Sequence, residues 1–222
     1  MDDNRVPDEV AAAIEECWPD GVIAEFDTEE SYFYGIYGAL ERDLRKIPGA
    51  TLIWQTEAER EDWQSYHVFF LAPQGGEFEF ETETEVEDPE DPNGGTVTYP
   101  GRGWYGCGVF VSFASPLASV RFSDYSQFDD GSVSTPDPGE VAHYEDTGEP
   151  VDLATSYRQD LGGYAFAKLE SLSSSIVTVL AKHDVTVLDQ AILDLPAPGL
   201  EADSETIDEP LSVRDAFFFR GA

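Results

Sequence analysis

Val10, Ile14 and Cys17 recur at three- and four-residue spacing, the interval that lines one face of an α-helix, and predict a short helix over 7–17. Pro7 suits its first turn, and Asp8 and Glu9 meet the positive end of the helix dipole. Pro19-Asp20-Gly21 stops it. A second helix is capped by Thr28 and runs to about Lys46, with Phe33, Ile36, Tyr37, Leu40 and Leu44 as its buried stripe. Glu29 and Glu30 fill its first turn and Arg42, Arg45 and Lys46 its last, so both ends complement the dipole. Gly35 and Gly38 weaken this helix, and their presence predicts a close approach by another backbone.

The period then shortens to two residues. Segments 51–56 and 66–71 read as strands joined by an acidic connection at 57–63, either a loop or a helical turn. From 77 to 86, Glu77, Glu79, Glu81, Glu83 and Glu85 alternate with Phe78, Phe80, Thr82, Thr84 and Val86, the signature of an antiparallel strand with one wet face. A loop at 89–95 returns the chain to a strand at 96–99. Two further strands, 107–114 and 118–123, meet at Ser115-Pro116, and the series reads as a meander.

Residues 124–149 are rich in Asp, Ser, Pro and Gly without periodicity, which predicts a long acidic surface loop near 124–150, or one holding a short strand at 141–144. Helical spacing returns over 161–182 through Ala165, Leu169, Leu172, Ile176, Val179 and Leu180, with Gly162 and Gly163 weakening its start. A β-like run at 185–188 follows, and Asp189 caps a further helical turn to Leu195. The aromatic tail, Phe217-Phe218-Phe219, predicts docking on the core. Together these elements predict an α+β fold in one domain over 1–222. An antiparallel meander of about five to six strands forms the sheet, and helices from the N- and C-terminal ends pack on one face.

Charge changes what such a fold can do. The chain carries 46 Asp and Glu against 12 Lys and Arg, a net charge of -34. Lysine occurs only at 46, 168 and 182, and asparagine only at 4 and 93. Like charge at this density destabilises a compact state, but at molar ionic strength the Debye length falls to about 3 Å and screens it. The composition predicts a cytoplasmic protein of a cell that keeps molar salt inside, with K+ and water solvating its surface. Disorder is the competing cause of acidity, and 41% hydrophobic with 13% aromatic residues supplies enough core to exclude it. Mimicry of a nucleic acid is the other. Direct binding of nucleic acid or of anionic membrane is disfavoured, because no Lys/Arg cluster stands in the sequence to meet phosphates. The opening MDDNRVPDEV is unlike a secretory signal, and Cys17 and Cys107 read as reduced thiols.

Motifs add little. No phosphate loop, dinucleotide fingerprint, zinc-protease helix, nucleophile elbow or CxxC pair appears, so no cofactor is implied. Glycines cluster at Gly101-Arg102-Gly103-Trp104-Tyr105-Gly106-Cys107-Gly108. This reads as a glycine-rich turn or bulge beside a strand, or as a recognition loop presenting Arg102, Trp104 and Tyr105 for binding. His67 falls in an apolar strand and reads as a satisfied sheet residue, and His183 follows a helix end whose dipole favours it. His143 has Glu140, Glu145 and Asp146 nearby, but the spacing matches no metal-site pattern and no metal is expected. Cys107, between glycines with no histidine close in sequence, reads as a buried thiol.

Three classes of function fit these residues. The leading one is a non-enzymatic protein-binding or regulatory module with a protein partner. An enzyme whose site assembles only in three dimensions would draw on His67, His143 and Cys107. An acidic nucleic-acid mimic is the third. Oligomeric state has no signal in the chain.

Overall fold

The computed structural model describes residues 5–23, 32–56, 64–88, 91–139, 142–143, 150–151, 153–197, 199–202 and 211–218, and every structural statement below concerns these. Helix α1 (Asp8–Cys17) starts directly behind Pro7 and buries Val10 and Ile14. A short β1 (Val22–Ile23) leads towards α2 (Tyr32–Leu44), whose Phe33, Leu40 and Leu44 are buried. Thr28, expected to cap α2, and the connection at 57–63 lie outside the described residues. Gly35 and Gly38 face open space, so the close backbone approach expected there does not occur.

Four strands then build most of the sheet: β2 (Ala50–Gln55), β3 (Tyr66–Pro73), β4 (Glu77–Asp88) and β5 (Asp91–Ser112). Strands β3 and β4 share one edge of β5. The first pairs with 107–112 and the second with 91–104, both antiparallel. Residues 66–88 therefore act as one long strand interrupted at Gln74–Gly76, where the Tyr105 amide donates to the Gly76 carbonyl at 2.9 Å. On the other edge of β5, β6 (Leu117–Phe128) pairs with 101–111. Beyond Gly101, β4 and β5 continue as a two-stranded ribbon past the end of β6.

This differs from the predicted pair of strands with a loop at 89–95 and a glycine-rich turn at 101–108. Residues 91–112 form one 22-residue strand. The glycines read as turn signals are covered by neighbours. A side chain at Gly101 would meet the Phe80 ring and one at Gly103 the Phe78 ring, so aromatic residues on β4 fill the surface those glycines leave bare.

Part of the expected 124–150 loop is also structured. Strand β6 extends to Phe128, β7 (Val133–Ser134) pairs with it, and β8 (Ala142–His143) pairs with β9 (Pro150–Val151). Helix α3 (Leu153–Lys182) begins eight residues before the predicted 161 and bends at Gly162, whose φ of 73° is left-handed. Strand β10 (Thr186–Val187) joins β6 in parallel, and α4 (Gln190–Leu193) follows. Finally β11 (Glu201–Ala202) pairs with β1, and α5 (Val213–Phe217) closes the described chain.

The α+β class with an antiparallel sheet holds, in the order β10-β6-β5-β3-β2, with β4 also on β5 and β7 on β6. The helices cover both faces, however, rather than the one expected. Alternate residues of β3 explain why. Phe69 and Leu71 pack with Cys107, Val109 and Val111 against α2 and α3. Tyr66 and Val68 pack with Phe110 against α1, Trp18 and α5. All of 66–72 is buried, so a helix layer on a single face would leave a row of apolar side chains in water. Of the aromatic tail, Phe217 and Phe218 dock on the core as predicted, and Phe219 lies outside the described residues. Phe217 and Phe218 are buried, Ser212 and Asp215 form a reciprocal cap, and Trp18 Nε1 donates to the Ala216 carbonyl at 2.9 Å.

Candidate functional site

Strand geometry separates the residues singled out from sequence. Successive side chains of β5 point to opposite faces, so Arg102 and Trp104 share one face and Tyr105 takes the other. Arg102 is exposed and pairs with Glu77 Oε1 at 3.0 Å. Trp104 lies 5.8 Å from Tyr125, which stacks on Trp54 at 5.9 Å, so its ring belongs to a small aromatic cluster over Phe70. Tyr105 stacks on Phe78 at 4.3 Å and meets Tyr157 edge-on at 5.6 Å. The three make no single surface. Their aromatic rings serve the packing of the sheet.

Of the residues considered for catalysis, His67 and Cys107 do not converge either. His67 is buried against Phe33, Tyr37 and Phe69, with ring centres 5.0, 5.1 and 4.6 Å away. Among the described residues its Nε2 has no hydrogen-bond partner, which departs from the satisfied histidine expected, and burial pushes its pKa down to about 3. It is therefore neutral at pH 7. The Cys107 thiol is fully buried, faces the Leu169 carbonyl at 3.9 Å, and is shifted far above its ordinary range by desolvation. His67 and Cys107 share a sheet face, but His67 pairs with Val111, four residues along β5 from Cys107, which is about 13 Å. His143 lies in β8, and its side chain and the 144–149 carboxylates are outside the described residues. His183 sits beside Asp43, Nε2 to Oδ2 at 3.3 Å.

A different group of residues is brought together by the fold. Two adjoining clefts run along one side of α3. The first, of about 380 Å3, is walled by Tyr164, Lys168 and Ser171 of α3 and by Pro48, Gly49 and Gln74 opposite. The second, of about 330 Å3, lies between Thr178 and Lys182 on α3 and Asp43 and Lys46 at the end of α2. Both share Ile47, Pro48 and Ser175, so they form one continuous groove. Every lysine of the chain lines it. The Lys168 ammonium donates to the Gln74 carbonyl at 3.2 Å and sits 4.9 Å above the Tyr164 ring. Lys46 donates to Asp43 at 3.0 Å, and that hydrogen bond is the leading cause holding the Asp43 carboxyl below its ordinary range. Lys182 is exposed and makes no ion pair among the described residues.

The outer face of α3 is as unusual as the groove. Tyr164 is 80% exposed and Val177 39%, and Ala167, Ser171, Ser174, Thr178 and Ala181 are exposed with them. Between 163 and 182 the sole carboxylate is Glu170. On α1 the exposed positions include Asp8, Glu9, Glu15 and Glu16. Lys168 and Lys182 share the helix expected over 161–182, but Lys46 lies more than 120 residues away in the chain and only the fold brings it to them. The scarcity of lysine was the available signal.

No family model, curated protein or solved structure matches this chain. Among the described residues no helix is long and apolar enough to cross a membrane, and no group of three His, Cys, Asp or Glu side chains stands where it would hold a metal. The geometry defines an α+β protein with an acid-rich sequence, a face of α3 nearly free of acid between 163 and 182, and a groove that shares Tyr164, Ser171 and Thr178 with that face and holds all the lysines.

Proposed function

We propose that this chain is a non-catalytic protein-binding module of a salt-in cytoplasm, and that its protein partner docks along the outer face of α3. One observation carries the reading: between 163 and 182 the exposed face of α3 holds a single carboxylate, Glu170, in a chain with 46 acids among 222 residues. An exposed carboxylate is well solvated in water, but burying it at an interface without a partner is costly, by roughly 1–3 kcal/mol or more. A face meant for contact therefore suits hydroxyls, alanine and an aromatic ring, and α3 presents these. Interface centres are depleted of charge and enriched in tyrosine in the same way. The buried His67 and Cys107 do not favour the enzyme reading.

The test is capture of partners by the tagged protein from a halophile lysate in 2 M KCl. The bait is compared with an A167E/S174E variant and with an A12E/S134E control that adds the same charge elsewhere. The reading predicts one protein at near-equal stoichiometry on the wild type and the control, and its loss from A167E/S174E. Retention by A167E/S174E, or no enriched protein at all, contradicts it.

A further inference from the structure

Resting on that reading, we infer that the groove beside α3 receives an extended acidic segment of the partner, with two carboxylates about six residues apart held by Lys168 at one end and Lys46 and Lys182 at the other. The spacing follows from the helix. Lys168 and Lys182 are fourteen residues apart, close to four whole turns, so they lie on one side of α3 about 21 Å apart. An extended chain covers that span in about six residues at roughly 3.3–3.6 Å each. Between the lysines the wall offers Ser171, Ser175 and Thr178, and the floor is Ile47, Leu172 and Val179. Such a lining suits an extended backbone with one apolar side chain between its acids.

Charge complementarity selects the occupant. The rest of the surface is acidic, and the groove sets all three lysines against one carboxylate, Asp43, which Lys46 already pairs, so Lys168 and Lys182 are the charges left to meet an incoming acid. Lys168 is already placed by Gln74 and Tyr164, and an ammonium has three donors, so the Gln74 carbonyl leaves two for a ligand. Molar salt does not remove this preference. The Debye length of about 3 Å screens the long-range repulsion of a -34 chain, while contact pairs within that distance persist.

The test uses the full chain in 2 M KCl and a fluorescein-labelled ten-residue Ser/Gly peptide with two glutamates six apart and a leucine midway, followed by fluorescence anisotropy. Comparators are the same peptide with glutamine at both acids and a ten-residue oligothymidylate. The expected result is at least tenfold tighter binding of the glutamate peptide than of either comparator. K168Q/K182Q should abolish that difference, K168R/K182R should keep it, and R5E, which changes the net charge by the same two units just ahead of α1, should keep it too. Unchanged near-ultraviolet circular dichroism establishes that each variant is folded. Equal binding of the glutamate and glutamine peptides, or equal loss in R5E, overturns the inference. Oligothymidylate binding as tightly overturns the peptide as occupant in favour of any polyanion. If the peptide fails while capture on α3 still responds to A167E/S174E, the acidic-segment inference falls and the binding module stands.

Discussion

The base of the β4–β5 ribbon and the outer face of α3 are both open to water, and they are built from opposite materials. Glu77, Glu79 and Glu81 are exposed along one side of β4, while their alternates Phe78 and Phe80 lie half-buried over Gly103 and Gly101. On α3, the exposed turns carry Tyr164, Ala167, Ser171, Ser174, Val177 and Thr178, with Glu170 the one acid between 163 and 182. Exposure alone therefore does not set composition in this protein. Acid lines the exposed side of β4 and is nearly absent from the outer face of α3 between 163 and 182, where the groove along the helix gathers all the lysines.

The largest expected effect of breaking this contrast is global. Transfer from 2 M to 0.02 M KCl removes the screening of a -34 charge, and the melting temperature should fall by about 10 °C or more. An unchanged melting curve would show that the acid serves something other than solvation in salt.

Acidification isolates a buried group. His67 has a folded-state pKa of about 3 against an ordinary 6.5, so between those values the unfolded chain binds the proton and the folded chain does not. Stability from this group is complete above pH 6.5 and is lost as pH falls, at about 1.4 kcal/mol per unit. At pH 4.5 the stability difference between wild type and H67F should have moved by about 3 kcal/mol against the wild type relative to pH 7.5. A constant difference would show that His67 is solvated.

The ribbon's base gives a smaller effect. G103V sets a side chain against the Phe78 ring and should destabilise by about 1–3 kcal/mol in chemical denaturation. G103V combined with F78A should recover part of that loss, and a neutral G103V would mean that Phe78 does not cover the glycine.

The smallest effect on folding is the most telling about function. A167E/S174E should change stability by less than about 0.5 kcal/mol, since both sites are exposed, yet abolish partner capture. E79Q/E81Q on the ribbon should leave capture unchanged.

Much of the fold was legible where periodicity and punctuation agree. Pro7, Asp8 and Glu9 fixed the start of α1, and the Glu/Phe alternation fixed β4. The length of β5 was not legible, because Pro92, Gly94, Gly95, Pro100, Gly101 and Gly103 carry the local signals of turns. Pairing with β4, and the rings of Phe78 and Phe80, override them. The near-collinear course of β3 and β4 along β5 is a register property that no single strand displays. Alternation also implied that Trp104 and Tyr105 would face apart once 101–108 is a strand, and reading the segment as a loop concealed it. The lysine groove depends on bringing Lys46 beside Lys182 across the α2–α3 contact, which local pattern does not encode.

The most direct measurement is hydroxyl-radical footprinting of the captured complex against the free protein in 2 M KCl, read at four exposed side chains: Tyr164, Val177, Tyr34 and Val133. Docking on α3 predicts that Tyr164 and Val177 lose most of their labelling in the complex while Tyr34 and Val133 keep theirs. Full labelling of Tyr164 in the complex would place the partner elsewhere and contradict the account.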